Sequence, residues 1–408
     1  LVRTGLALAV VTGCAGRAEQ EPIPAGPPRP AVLLVSLDGF RWDYLDRGLT
    51  PNLERLAREG VRAEAMVPVF PTKTFPNHYS IVTGRYPAKH GIVGNVFTAP
   101  DLNDRLTLWN RDAVSDGRFY LAEPIWVTAE RQGRRTAPLF WPGSDAKING
   151  VRPTFRRPFD GELPDRERVD QLIEWLDQPP AKRPVFLTLY FSIVDNAGHD
   201  FGPDAPETDL AIARADSLIG YLVAELDQAG AADSMNLVIV SDHGMIGTSP
   251  ERVIWVDEYL AEDAMTPDEM STLLTAWPAP GLEDSVIRAL RRAPHIAVYR
   301  REELPARFRL EGSPRVAPVM AIADAGWMIA QRTREEPSPE IILGNHGYDD
   351  TLPDMRAIFV AHGPAFKRGV TVPRFRNIHV YPLLAELLGV TPEPSEGSLD
   401  SVRAVLAD

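Results

Sequence analysis

The 408-residue chain carries 43 Lys and Arg against 56 Asp and Glu, a formal net charge of −13, and no long basic run, which excludes a duplex-nucleic-acid binder that works by neutralising phosphates. Hydrophobic residues make up 44% and charged residues 24%, close to ordinary globular chains, so neither a disordered chain nor a multi-pass membrane protein is expected. Cys14 is the only cysteine, which excludes disulfide scaffolding and cysteine-built zinc sites.

In chain order, Arg3 and the apolar run at residues 5–11 lead into Val11-Thr12-Gly13-Cys14, a signal-peptide-like start too short to span a bilayer. The quartet resembles the lipobox of bacterial lipoproteins. That resemblance implies export, a periplasmic location and a lipid anchor at Cys14 holding the protein to the outer membrane, with no other membrane contact; an ordinary signal peptide with an incidental cysteine is the alternative. Residues 15–30 contain five prolines, the composition of a tether. One catalytic domain is expected over residues 31–405, and no obligatory protein partner is evident.

Residues 31–37 form a continuous apolar run ending in Asp38-Gly39, the pattern of a buried parallel strand with a polar residue at its carboxyl end. Residues 50–60 predict a short helix, with Thr50 as cap, Pro51 at the first turn and Gly60 as stop. A second strand at 185–192 runs into Asp195, and 209–230 has helical spacing through Leu218, Leu222 and Leu226. A third strand at 237–240 ends in Ser241-Asp242-His243-Gly244, a fourth is expected at 357–361, and 381–388 reads as a last amphipathic helix. Alternation of strands and helices implies an α/β fold, with a largely parallel sheet covered on both faces. Residues 96–165 and 245–340 read as insertions around the site.

Asp38, Asp195 with His199, and Asp242 with His243 follow buried strands, whose carboxyl ends gather on one edge of a parallel sheet. His346 could complete a ligand set. Mixed carboxylates and imidazoles suit a borderline divalent metal such as zinc, whereas an all-oxygen set would suit magnesium or calcium. Thr74 precedes an apolar stretch ending at Gly84 and therefore sits at a helix start. Two readings are open for it: a capping threonine, or a hydroxyl activated by a metal and the helix dipole.

The blocks VSLDGFRWDYLD, PTKTFPNHYSIVTGRYPAKHGIVGN, FWPGSDAKING, YFSIVDNAGHDFGPD, VSDHGM and NHGYDDTLPDMRAIFVAHGPAF resemble, in order, those of the nucleotide pyrophosphatase/phosphodiesterase family of the alkaline phosphatase superfamily. The resemblance implies an alkaline-phosphatase-like three-layer sandwich and two zinc ions per chain. It assigns one ion to Asp195, His199 and His346, and the other to Asp38, Asp242, His243 and the nucleophile Thr74. It implies further that Asn95 and the Phe75 amide stabilise a nonbridging oxygen, although Asn95 after Gly94 also reads as a turn residue. Phe75, Leu108, Trp141 and Tyr190 would form a wall for a nucleotide base with Asp145 near its edge; Trp141 and Tyr190 also read as plain core aromatics. Val96 stands where several animal relatives carry a lysine near the nucleotide phosphates, and the family's appended nuclease-like and cysteine-rich domains are not expected here.

The implied function is hydrolysis of nucleotide phosphodiesters or phosphoanhydrides through a threonyl-phosphate. Cleavage of a phospholipid head group, a glycerophosphodiester or a monoester by the same metals is the alternative. A lipoprotein that binds phosphorylated ligands without turnover is a third reading, opposed by the intact Thr74 and ligand set.

Overall fold

A computed structural model describes residues 29–333 and 341–408; the expected anchor at Cys14 and residues 15–28 of the expected tether lie outside the described residues. In chain order, the first half supplies β1 (Ala31–Leu37), α1 (Pro51–Glu59), β2 (Val61–Ala63), α2 (Thr74–Thr83), α3 (Ile125–Arg131), β3 (Thr136–Pro138), α4 (Asp165–Leu176), β4 (Phe186–Phe191), α5 (Ile193–Phe201) and α6 (Pro206–Gln228). The second half supplies β5 (Met235–Val240), β6 (Met265–Met270), β7 (Leu273–Pro278), α7 (Glu283–Leu290), β8 (Ile296–Arg300), β9 (Val319–Ala323), β10 (Phe359–His362), β11 (Val370–Val372) and α8 (Val380–Leu388).

The central sheet has seven strands in the order β11-β2-β10-β5-β1-β4-β3. β1 pairs in parallel with β4 and β5, as β3 does with β4. The fold is three layers deep because successive β1 side chains enter opposite cores. Val32 and Leu34 pack with Ile81 of α2, Trp126 of α3 and Leu384 of α8. Leu33, Val35 and Leu37 pack with Leu53 of α1, Leu172 of α4 and Ile219 of α6. Each such buried side chain contributes about 1.5–3 kcal/mol, and the period of two in the strand explains why a largely apolar run is needed here. Within residues 245–340, β6, β7, β9 and β8 form a second, antiparallel sheet. Its Leu274, Ala321 and Val298 pack on Val286, Ile287 and Leu290 of α7, while Leu273, Met320 and Ile322 join the main core. Among the described residues no helix is long and apolar enough to cross a membrane.

The expected fourth strand forms, and one capping expectation is corrected. The fourth strand forms as Phe359–His362 and runs antiparallel to both β2 and β5; a strand buried on both faces carries no mark of direction in its own residues. Thr50 makes no side-chain capping bond, its hydroxyl donating instead to Glu54 Oε1 at 3.4 Å, so Pro51 and the Gly60 stop bound the helix without a side-chain cap.

His90, fully buried after α2, accepts from the Ile92 amide at Nδ1 and therefore donates Nε2–H to Ser80 Oγ, at 3.2 and 2.9 Å. Burial pushes its pKa from 6.5 down to about 3. The folded state thus keeps a neutral ring while the unfolded chain takes up a proton below pH 6.5, so this contribution to stability is complete above that pH and lost as pH falls through the window towards 3. Urea titrations at pH 7 and pH 5 are expected to show the wild type losing about 2 kcal/mol more than His90→Gln between the two. Equal losses in both proteins would contradict the assignment.

Candidate active site

The site lies at the carboxyl ends of β1, β4 and β5, where a parallel sheet leaves its loops converging. Asp38 follows β1 directly, its amide continuing the ladder to Phe191 O at 2.9 Å. The next residue must be glycine: Gly39 has φ +68, and a Cβ there would lie 2.8 Å from Asp195 Cα, closer than a side chain tolerates. Asp195 stands in the first turn of α5, not at the strand end, and His199 is four residues on, on the same helix face. Asp242 and His243 follow β5, and both are fully buried. His346 follows the short strand Gly344–Asn345.

Three histidines share one arrangement. Nδ1 of His199 faces Gly344 O at 2.8 Å, that of His243 faces Gly244 O at 2.9 Å, and that of His346 faces Thr72 O at 2.8 Å. A carbonyl only accepts, so each Nδ1 carries the proton and each Nε2 keeps its lone pair. Those lone pairs meet carboxylates: His199 Nε2 is 3.5 Å from Asp195 Oδ2, His346 Nε2 is 3.9 Å from Asp195 Oδ1, and His243 Nε2 is 3.4 Å from Asp38 Oδ1 and 3.0 Å from Asp242 Oδ2. Asp38 Oδ1, Asp195 Oδ1 and Asp242 Oδ2 are buried without a hydrogen-bond partner. Four ligands at zinc's ordinary bond length of about 2 Å stand roughly 3.4 Å apart in a tetrahedron, which these spacings approach.

Electrostatics agrees with that fit. Burial, reinforced by the charges of Asp242 and Asp195, holds Asp38 well above the usual carboxylate range. Burial pushes Asp242 the same way, but His243 and His78 outweigh it and hold that carboxyl well below. Burial, with His243, Lys73 and His199 as neighbours, drives the His346 pKa well down, the direction that favours the neutral ring its Nδ1 bond implies. The His243 and His346 rings stack at 3.5 Å, and Asp38, Asp195 and His243 themselves come within 4.8 Å of one another. The two clusters are therefore contiguous, as a two-cation site requires.

Thr74 is the first residue of α2. Lys73 precedes it as N-cap, and no capping bond comes from Thr74, which removes the capping reading. Its Oγ1 lies 3.4 Å from His243 Nε2. Thr74 opens on a cleft of about 410 Å³ that is also lined by Phe75, Asn95, Leu108, Trp141 and Tyr190. Asn95 and Leu108 flank a hairpin of Val96–Ala99 and Asp104–Thr107 and are joined by a 3.1 Å bond from Leu108 N to Asn95 O. The Phe75 amide is not free as expected: it donates to Asn95 Oδ1 at 2.9 Å, which fixes that side chain and leaves Nδ2 as its donor.

Tyr190 is more than a core ring, since its hydroxyl donates to Asp38 Oδ2 at 2.5 Å. Trp141 is buried and donates Nε1–H to His78 O at 3.0 Å. Asp145 does not reach the cleft wall; Arg111 and the Phe159 amide hold its carboxylate, and Arg111 and Phe159 face the cleft in its place.

Sequence reasoning missed His78. Its Nδ1 donates to Thr74 O at 2.9 Å and stands 3.4 Å from Asp242 Oδ2, while Nε2 takes the Ser36 hydroxyl at 2.7 Å. With both nitrogens used, it braces the Thr74 turn and Asp242 and is not a spare ligand. The available signal was its position four residues after Thr74, on the same helix face.

The profile of the family described as type I phosphodiesterase/nucleotide pyrophosphatase matches residues 32–349. Human ectonucleotide pyrophosphatase/phosphodiesterase family member 5 is 39% identical over 383 residues, covering 93% of this chain and 79% of that protein. The bis(5'-adenosyl)-triphosphatase of Xenopus laevis is 35% identical over 393 residues, 94% of this chain and 83% of that protein. The structure of murine family member 5, as an inactive threonine-to-alanine form in complex with AMP, superposes with a TM-score of 0.89 at 38% identity, covering 93% of this chain and 100% of that one. The chain therefore belongs to the type I phosphodiesterase/nucleotide pyrophosphatase family, within the alkaline phosphatase superfamily.

Proposed function

We propose that the chain hydrolyses nucleotide phosphodiester or phosphoanhydride bonds through a covalent threonyl-phosphate on Thr74, with a zinc ion in each ligand cluster, releasing nucleoside monophosphates. Phosphodiesterase and nucleotide pyrophosphatase activity is that of the family; the nucleophile, the metal pair and the products are the proposed part. One observation carries it: three histidines spend Nδ1–H on backbone carbonyls and turn Nε2 towards the carboxylates of Asp38, Asp195 and Asp242, each of which has a partnerless buried oxygen, beside one hydroxyl. When bound, paired divalent cations supply charge that acidifies a hydroxyl and offsets the charge growing on phosphoryl and leaving oxygens.

The chain's own groups account for the rest. Thr74 Oγ1 lies at the amino end of α2, where aligned amides favour an anion, and His78 steadies that turn. Thr74 Oγ1 bonds to phosphorus as the leaving-group oxygen departs, the hydroxyl proton passing to solvent. Water then attacks the same phosphorus, the Oγ1–P bond breaks, and Thr74 recovers a proton. Asn95 Nδ2 donates to a nonbridging oxygen, an interaction worth about 3 kcal/mol in the transition state. Phe75 and Tyr190 offer faces to the base, with Leu108 and Trp141 completing the wall; stacking contributes roughly 1–3 kcal/mol per base. The AMP held by the murine relative and that protein's inactive threonine variant support a nucleotide and a threonine, and among the described residues Thr74 is the one threonine lining the cleft.

Rates on a nitrophenyl nucleotide diester, nitrophenyl phosphate and nitrophenyl phosphorylcholine test the substrate. The nucleotide diester is expected to have a kcat/KM about 100-fold above either of the others. A preference for the choline ester or the monoester would transfer the assignment to head-group or monoester hydrolysis.

A further inference from the structure

We propose that Glu269 and Ser271 form a specificity lock that holds the Lys73 ammonium out of the phosphoryl site and thereby favours diesters over monoesters. The inference rests on the phosphodiesterase reading above. Lys73 immediately precedes Thr74 and is buried. A cation one residue from the nucleophile would help a monoester dianion more than a diester monoanion, because attraction scales with the product of charges. Yet Lys73 does not line the cleft. Its Nζ lies 2.6 Å from Glu269 Oε1 and donates to Ser271 Oγ at 3.1 Å.

The lock is built by the second sheet. The register of β6 on β7 slips between Pro267 and Glu269, and a bulge of this kind re-aims a side chain. Two consecutive acids can then both turn inward. Asp268 accepts from Thr98 N, Thr98 Oγ1 and Trp277 Nε1 at 2.9, 2.7 and 2.7 Å, while Glu269 meets Lys73. The Lys73 and Glu269 side chains are only 6% and 11% exposed, and Glu269 Oε2 has no partner. A buried ion pair is a poor source of stability, since desolvating both charges offsets their attraction; what the pair prevents accounts for it better. Lys73 also runs directly against the His346 loop, where a Cβ on Gly347 would meet Lys73 Cε at 2.3 Å. Released, the ammonium would lie within a side chain's length of the attacked phosphorus.

Glu269→Ala removes both charge and acceptor. With the metal-loaded full chain, kcat/KM is measured on the nitrophenyl nucleotide diester and on nitrophenyl phosphate. Glu269→Ala is expected to raise the monoester-to-diester ratio about tenfold, and the double variant Lys73→Met/Glu269→Ala to restore it. Ser271→Ala moves the ratio the same way by less, and with Lys73→Met/Ser271→Ala gives the same comparison should Glu269→Ala fail to fold. An unchanged ratio, both activities falling together as a merely structural tie would cause, or a raised ratio that survives loss of Lys73 overturns the proposal. Absence of diesterase activity in the wild type would overturn the function proposed above and not the lock.

Discussion

Thr74→Ala is expected to keep its fold and lose about three orders of magnitude or more in kcat on a nucleotide diester. The loss is chemical because the hydroxyl makes no capping bond to α2, and alanine is well tolerated in a helix. Two nearby hydroxyls are already engaged. Thr72 Oγ1 is committed to Tyr348 O at 2.9 Å and accepts from Gly347 N at 2.9 Å, and the Tyr190 hydroxyl is engaged by Asp38. Steady-state rates beside far-ultraviolet circular dichroism and thermal unfolding check the two halves of the prediction. A folded alanine variant retaining a tenth of the wild-type rate would remove Thr74 from the chemistry.

Chelation is expected to abolish diesterase activity and lower the unfolding temperature. Without a cation the site holds three carboxylates with partnerless buried oxygens, and burial with the charges of Asp242 and Asp195 disfavours an ionised Asp38. A ligand present at about 1,000 times its Kd stabilises the folded state by about 4 kcal/mol, which for a chain of this size corresponds to a drop of roughly 5 °C or more on removal. Zinc should restore both activity and unfolding temperature, and magnesium should do so poorly, because half of the non-hydroxyl donors are imidazoles, which magnesium binds weakly. Calorimetry with parallel assays measures this; a chelated protein of unchanged stability and activity would mean that the clusters hold nothing.

Much of this site was legible because its parts fall where apolar runs stop. β1, β4 and β5 are predominantly hydrophobic segments, each with one buried polar residue, Ser36, Thr188 or Asn236, and the charged residues that follow two of them, Asp38 and Asp242-His243, stand out against that background. His346 had no such flank: residue type made it a possible ligand and family resemblance assigned it; its ring is placed by the carbonyl of Thr72, a long-range contact that no local pattern encodes. The direction of β10 was invisible for a related reason, since pairing partners and not composition decide it. The exchange between the Phe75 amide and Asn95, the displacement of Asp145 behind Arg111, and the tie from Lys73 to Glu269 all join segments distant in sequence. Polar side chains choose partners by what the fold brings near, so residue type sets the menu and topology makes the selection.

The most direct test of the account is anomalous diffraction at the zinc edge from crystals of the zinc-loaded protein. Two peaks are expected, one among Asp195, His199 and His346 and one among Asp38, Asp242 and His243, both beside Thr74 Oγ1. A single peak, or peaks remote from that hydroxyl, would contradict a paired-cation phosphodiesterase.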